Sequence, residues 1–272
     1  MTITVFTADF ITRMSLRNSL KGRICHYGSL ASISDDITYG FVREIFDEVG
    51  KPFPEGEEMD SQPIGEVSKF LRVIGYEDDE SLDFGNVDGA THIFDLNSEE
   101  CPKHLVDRFD VMYNNGTLEH IFHIPNCLAN VTRMLKIGGY AFHICPVNNH
   151  VDHGFYQFSP GLMFDYYEEN GFEIKDSVMI RYRLDPYEPY TVWGDQFYSP
   201  FKLPSPTYYD GKMDDAVYAL LFVVRKTARS TTDRIPIQRM YRPKGENFEE
   251  MSSDQRLDTL MALKKDMLGE LD

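Results

Sequence analysis

From Val111 to Pro146 the chain reads VMYNNGTLEHIFHIPNCLANVTRMLKIGGYAFHICP: an apolar run, a polar turn, a helical period, a glycine pair and a second apolar run. Two strands separated by a helix of this length cannot form a hairpin. They must lie parallel in one sheet, with the helix packed across its face. Leu118, Ile121, Ile124, Leu128, Val131 and Leu135 recur at three- and four-residue steps and predict one continuous helix, stopped by Gly138-Gly139. Further strands are predicted at RICHYG, ESLDF and THIFDL before this unit, and at FEIKDSVMIRYRL and AVYALLFVVRK after it. A helix from about Ser159 to Asn170 begins with the Ser-Pro order of a cap followed by a first helical position, and Gly171 ends it. Strands alternating with helices imply a parallel sheet covered on both faces.

A chain of 272 residues with 42% hydrophobic positions can bury a sizeable core. It reads as one large α/β domain over residues 1–226, followed by an extension, 227–272, that ends in a helix from about Ser253 to Gly269. That helix has the apolar positions to dock on the domain or on a second subunit, so a homo-oligomer is left open. A helix-loop-helix insertion is expected over 36–76, with GKPFPEGEEMDSQP as its connector. The stretch 185–215 is too long and too rich in Pro and Tyr for a simple hairpin connection, and loops of that kind are often binding elements.

The formal charge of −17, with no Lys/Arg-rich run, sets the chain against the phosphates of nucleic acid. Cys25, Cys101, Cys127 and Cys145 occur singly, as expected of thiols in a cytoplasmic protein rather than a secreted disulfide framework. The N-terminus lacks a basic segment before an apolar core, and the strongest apolar run is too short to span a bilayer, so neither secretion nor a membrane partner is expected. The glycosylation patterns at Asn115 and Asn130 are therefore read as chance matches.

At Asp110 to Gly139 the order of elements resembles the class I S-adenosylmethionine-dependent methyltransferases. In that family the fourth strand ends in a polar turn, often with LEH, followed by a helix, LKPGG and a fifth strand. The matching pieces here are FDVMYNNGTLEH and MLKIGGYAFHICP. SLDFGNVDGATHIFDLN is also similar to a bacterial subgroup whose second and third strands are tightly joined, and the common layout extends from Lys21 to Lys226. The resemblance implies a Rossmann-like, doubly wound α/β fold: a mostly parallel seven-stranded sheet with an antiparallel last strand. It also implies S-adenosyl-L-methionine as cofactor, bound by Gly28 and Ser29 in the first loop, Asp83 at the ribose, Asp95 and Leu96 at the adenine, and Asn114, Asn115 and Gly116 beside the sulfonium. The first loop departs from the family pattern. RICHYGSLAS keeps only Gly28, with His26 in the place of the acid and Leu30 and Ser32 at the other glycine positions. Asp83 also lies far beyond the roughly 20-residue spacing of a dinucleotide fingerprint, a gap that the insertion explains.

Several of these residues have a second, purely local reading. Asp83 offers two acceptor oxygens for ribose hydroxyls, or is a solvated turn acid. Asp95 can equally make an Asx turn with Asn97. Asn114 and Asn115 supply amides, Gly116 lets the chain pass closely, and Thr117 caps the next helix, whose first turn carries Glu119 and His120 towards cofactor or substrate. A Thr cap followed by Glu is also ordinary helix-start chemistry. His120 and His123, with His150 and His153, would form a four-ligand set only if their loops converged, and no HExxH or Cys pattern accompanies them, so no metal is predicted.

His150 or His153 suits the role of general base for a hydroxyl acceptor, with His150 preferred because it follows the fifth strand more closely; the alternative is a His that only bonds its loop. Tyr187, Tyr190, Trp193, Tyr198, Tyr208 and Tyr209 suit a small-molecule or carbohydrate-linked substrate, and the loops 146–158 and 185–215 are expected to cover it together. O-methylation of such a hydroxyl is the activity expected. The degenerate first loop also suits a methyltransferase-like scaffold without catalysis. The absent GxGxxG disfavours a nicotinamide-dependent oxidoreductase, and the absent GxSxG elbow a hydrolase.

Overall fold

The computed structural model describes residues 2–56, 59–86, 89–150, 152–182, 191–193 and 217–241. In chain order the elements are β1 (Thr2–Ile3), α1 (Val5–Arg17), β2 (Gly22–Tyr27), β3 (Ser32–Ile33), α2 (Tyr39–Val49), α3 (Val67–Val73), β4 (Tyr76–Asp83), β5 (His92–Ile93) and β6 (Phe109–Asn115). They continue with α4 (Ile124–Met134), β7 (Leu135–Asn148), α5 (Pro160–Glu169), β8 (Glu173–Tyr182), β9 (Thr191–Trp193) and β10 (Val217–Arg225). Side chains alternate across each strand, and both faces are covered. Ile24, Val111, Tyr113 and Phe142 bury against α1, α2 and α3, whereas Cys25, Met112, Ala141 and Phe222 bury against α4 and α5.

The main sheet has the order β5-β4-β2-β6-β7-β10-β8-β9. Strands β5 to β7 of that order are mutually parallel, and β10 runs antiparallel to both β7 and β8. This is the expected seven-stranded doubly wound sheet with its last strand reversed, and the short β9 adds an eighth strand at the edge. A separate parallel ribbon pairs β1 with β3, Ile3 opposite Ile33. Between β3 and β4 the chain forms α2 and α3. Thr38 caps α2 through the Phe41 N–H, and Gly50 ends it in the left-handed conformation. Ser159 caps α5 ahead of Pro160, as its sequence order predicts.

Three local expectations are corrected. The helix after β6 is not continuous: a single 3-10 turn, Leu118–His120, gives way to extended backbone at Ile121, and α4 restarts with Pro125 in its first turn. Pro125 has no N–H to give to the Ile121 carbonyl four residues back, and its ring crowds that carbonyl, so a helix cannot run through this point. The helix also stops at Met134, ahead of the glycine pair, because Leu135 already enters β7 opposite Phe109. THIFDL contributes only His92 and Ile93 to the sheet, at the edge beside β4.

Thr227 and Thr231 hydrogen-bond to Gly171 and Asn170, so the chain after β10 returns along the end of α5. The helix expected over Ser253–Gly269 and the side chains of the aromatic stretch lie outside the described residues. All four cysteines are free thiols. No helix among the described residues is long and apolar enough to cross a membrane.

Candidate functional site

Strands β4, β2, β6 and β7 end side by side, so their C-terminal residues share one rim, the place where open α/β sheets take ligands. At the end of β2, Gly28 adopts φ +78°, and the chain turns so that the Ser29 N–H donates to Asp83 Oδ2 at 3.1 Å. Gly28, Ser29 and Asp83 are thereby gathered at the junction of β2 and β4. The Asp83 carboxylate accepts nothing else among the described residues. His26 is buried with Nδ1 3.2 Å from the Gly28 carbonyl, and burial lowers its pKa. Leu30 joins the core shared with α1. Ser29 also borders a polar hollow of about 530 Å³ lined by His26, Asp79, Ser81 and Thr91.

At the next loop, Asp95 is exposed, and its Oδ1 accepts both the Asn97 N–H at 2.9 Å and the Asn97 amide at 2.7 Å, an Asx turn. Leu96 beside it is a core residue.

The turn after β6 is braced from within. Asn114 is fully buried; its Oδ1 accepts the N–H groups of Thr117 at 2.9 Å and Leu118 at 3.1 Å, while its Nδ2 donates to the Ile144 carbonyl at 3.1 Å. Thr117 makes no cap. Its hydroxyl donates instead to the Tyr27 carbonyl at 2.7 Å and ties the turn to β2. Asn115 reaches the other way, donating Nδ2 to the Thr2 carbonyl at 3.0 Å, and Gly116 takes φ +87°.

Between this turn, the start of α1 and the loop after β7 lies a cleft of about 300 Å³. Six of the predicted site residues line it: Asn115, Gly116, Glu119, His120, His150 and His153. Thr2, Thr4 and Thr7 form its other wall. The sequence reading missed that wall. The period Phe6, Phe10, Met14 and the Thr4/Thr7 capping pair do signal α1, yet nothing local says that the start of α1 meets the β6 turn.

The loop after β7 is docked on the Glu119 carbonyl, which accepts the N–H of Phe155 at 2.7 Å and of Tyr156 at 3.3 Å. Asn149 and Asp152 adopt φ +60° and +61°, and Gly154 φ +78°. A Cβ on Gly154 would lie 2.7 Å from the Glu119 carbonyl oxygen, so only glycine allows this approach. The result is that His153 is laid over Glu119, with Nε2 3.7 Å from Oε1.

Glu119 is 2% exposed, its Oε2 has no hydrogen-bond partner, and burial pushes its pKa up to about 7. The rings of His120 and His153 are 5.2 Å apart, those of His150 and His153 5.7 Å. Burial, reinforced by the neighbouring His153, lowers the pKa of both His120 and His150. His123 does not join them: its N–H donates to Asn97 Oδ1, and its ring packs on Phe122.

Within β7, the fully buried His143 is held between the hydroxyls of Tyr27 and Tyr167. Burial pushes its pKa down to about 3, so the ring is neutral, with one nitrogen donating and the other accepting.

The rim therefore carries two groups, a carboxylate turn at β2 and β4 and a Glu/His cleft at β6 and β7. The first expected covering loop, 146–158, does line the cleft through Pro146, His150 and His153; the second, 185–215, falls mostly outside the described residues.

No family model and no curated protein matches the chain. Among solved structures it is similar to the 1,6-didemethyltoxoflavin-N1-methyltransferase of Burkholderia thailandensis, determined with 1,6-didemethyltoxoflavin and S-adenosylhomocysteine, at 13% identity and a TM-score of 0.44 over 82% of this chain and 78% of that one. A similar match is the S-adenosylmethionine-dependent methyltransferase of Mesorhizobium loti, at 14% identity and a TM-score of 0.40 over 80% of this chain and 98% of that one. The YcgJ protein of Bacillus subtilis is similar at 12% identity and a TM-score of 0.40, over 82% of this chain and 99% of that one.

Proposed function

We propose that the chain is an S-adenosylmethionine-dependent methyltransferase acting on a small or carbohydrate-linked hydroxyl. One observation carries the reading. In a sheet whose seven main strands are reversed only at β10, the NNGTLEH turn lies at the carboxyl end of β6 and forms a wall of the cleft, while on the same rim, across β2, the β4 carboxylate of Asp83 keeps an uncommitted oxygen. Fold alone does not carry function, so the donor set matters. Asp83 offers a carboxylate oxygen to ribose hydroxyls, Gly28 at positive φ leaves room for close approach, and Gly116 opens the turn beside the buried Glu119 carboxyl. These residues fit the cofactor. The amino-acid end of the cofactor lacks the usual glycine cradle, since Leu30 is core, and the threonines at the start of α1 are the polar groups nearest that role.

When bound, the cofactor supplies an electrophilic methyl group on a sulfonium. The chain's own part is to bind the nucleoside at Asp83, to orient the acceptor in the cleft and to remove its proton. His150 suits that last role: it follows the end of β7 by two residues, is half-buried, and lines the same cleft as the β6 turn. The single free thiols and acidic charge agree with a cytoplasmic setting and a small-molecule partner.

Calorimetric titration with S-adenosylmethionine, S-adenosylhomocysteine and the nicotinamide dinucleotides tests the reading. Binding of the first two alone supports it. Binding of a dinucleotide alone would replace it with an oxidoreductase, and no binding of any would leave a scaffold.

A further inference from the structure

We infer that Glu119, His120 and His153 form a binding site for a borderline divalent cation of the zinc type, with at least one coordination position open to the cleft. One ligand atom from each residue lies within 4.8 Å of the other two, although the three come from a 3-10 turn and from a loop more than thirty residues later. Four-coordinate zinc bound at about 2.0–2.2 Å requires its ligands to lie roughly 3.4 Å apart. Glu119 Oε1 and His153 Nε2, at 3.7 Å, are already near that separation. The two imidazoles are exposed, with their rings 5.2 Å apart.

One further observation points to a ligand, and another shows how the site is built. The first is Glu119 itself: its side chain is almost wholly buried, lines the cleft, and leaves Oε2 without a partner. A buried carboxylate oxygen without a partner is costly, and a bound cation would satisfy it. The second is the construction of the loop. Three residues at positive φ, two of them not glycine, together with the glycine-only approach of residue 154 to the Glu119 carbonyl, hold His153 over Glu119. Asn, Asp and Gly all accept this backbone, so the loop is unstrained there and fixes where His153 stands.

The donor set chooses the metal. Two imidazoles and one carboxylate disfavour magnesium and calcium, which take oxygen ligands, and suit zinc, iron(II) or cobalt(II). Three protein ligands rather than four leave a position for water or for an oxygen of a bound molecule, as in catalytic rather than structural zinc sites. His150 stands outside the set, since its ring bonds the Tyr218 carbonyl, and so does His123, on the far side of the turn. The inference does not depend on methyl transfer.

The test is metal binding by the full chain, without an affinity tag and after chelator treatment. Cobalt(II) is titrated by visible absorption and zinc by calorimetry. One equivalent of cobalt(II) should bind with a d–d band that zinc abolishes. His120→Ala, His153→Ala and Glu119→Gln should each weaken binding by at least about 10–100-fold, the range already seen for groups one shell further from a metal, while His123→Ala binds as the parent does. Both imidazoles are exposed, so their variants should keep the parent circular dichroism and thermal midpoint. Failure of the parent to bind either metal would overturn the site. So would undiminished binding by a folded His120→Ala/His153→Ala double variant, or a loss on His123→Ala equal to that on His153→Ala.

Discussion

Replacing Gly154 with Ala should release the loop that follows β7 from the β6 turn. The added methyl would sit 2.7 Å from the Glu119 carbonyl oxygen and 3.0 Å from its carbonyl carbon and Cγ, with backbone rather than a flexible side chain as the main obstacle. An L-residue at φ +78° costs about 1–2 kcal/mol in addition. Relief requires the loop to lift, which gives up the Phe155 and Tyr156 N–H bonds to Glu119, at about 0.5–1.5 kcal/mol each. Those bonds oppose opening in parent and variant alike, so the opening equilibrium shifts by the backbone penalty and the clash alone: at least about 1–2 kcal/mol, or at least about 5-fold. Because opening is local, global stability should fall by less than this. Native-state hydrogen exchange is the assay: the Phe155 and Tyr156 amides should lose protection selectively, while those of β6 and β7 keep theirs. Gly154→Asn separates the two causes, since Asn tolerates left-handed backbone but still carries a Cβ; it should be nearly as disruptive as Ala if the clash dominates. Parental protection of both amides in Gly154→Ala would refute the reasoning.

Asp83→Ala should weaken S-adenosylhomocysteine binding by roughly 1.5–3 kcal/mol in calorimetry, the range for hydrogen bonds to a charged group; unchanged affinity in a folded variant would remove Asp83 from the site. With a hydroxyl acceptor in hand, His150→Ala should lower kcat by about 10²–10⁴ with little effect on cofactor affinity, and parental turnover would reject His150 as base. His143 has a folded pKa of about 3, below its unfolded value near 6.5. The unfolded chain therefore takes up its proton first, and the stability that neutral His143 provides is complete above about pH 6.5 and lost on acidification. Between about pH 6.5 and 5 this single group should remove about 2 kcal/mol in denaturant titrations, and a His143→Phe variant should lack that part of the slope; an identical slope would show that His143 is not buried and neutral.

The sheet was legible because strands covered on both faces are nearly continuous apolar runs, as in FDVMYN and AVYALLFVVRK, and because Gly171 and the Ser159-Pro160 pair mark the ends of α5. The break before α4 was written in Pro125 but masked by an apolar period that carries on through Ile121 and Ile124. That Gly28, Ser29 and Asp83 meet at the junction of β2 and β4 was legible from their place at strand ends. The roles of Asn114 and Thr117 were not, since which donor an amide or hydroxyl meets depends on neighbours such as Ile144 and Tyr27 that are distant in sequence. The convergence of His153 with Glu119 was illegible for the same reason. It rests on backbone conformations at Asn149, Asp152 and Gly154 that residue type permits but does not dictate.

The bond from Asn115 to the Thr2 carbonyl joins residues 113 positions apart and closes one wall of the cleft with the first residues of the chain. A purification tag or fusion partner joined ahead of Thr2 would be tethered to a residue that lines the cleft. A truncation that trims residues 2–7 would remove that wall while most of the sheet stayed intact. Proteins prepared in these ways can fold well and still differ in what they bind, so comparisons of ligand binding between preparations are meaningful only when their N-termini are the same.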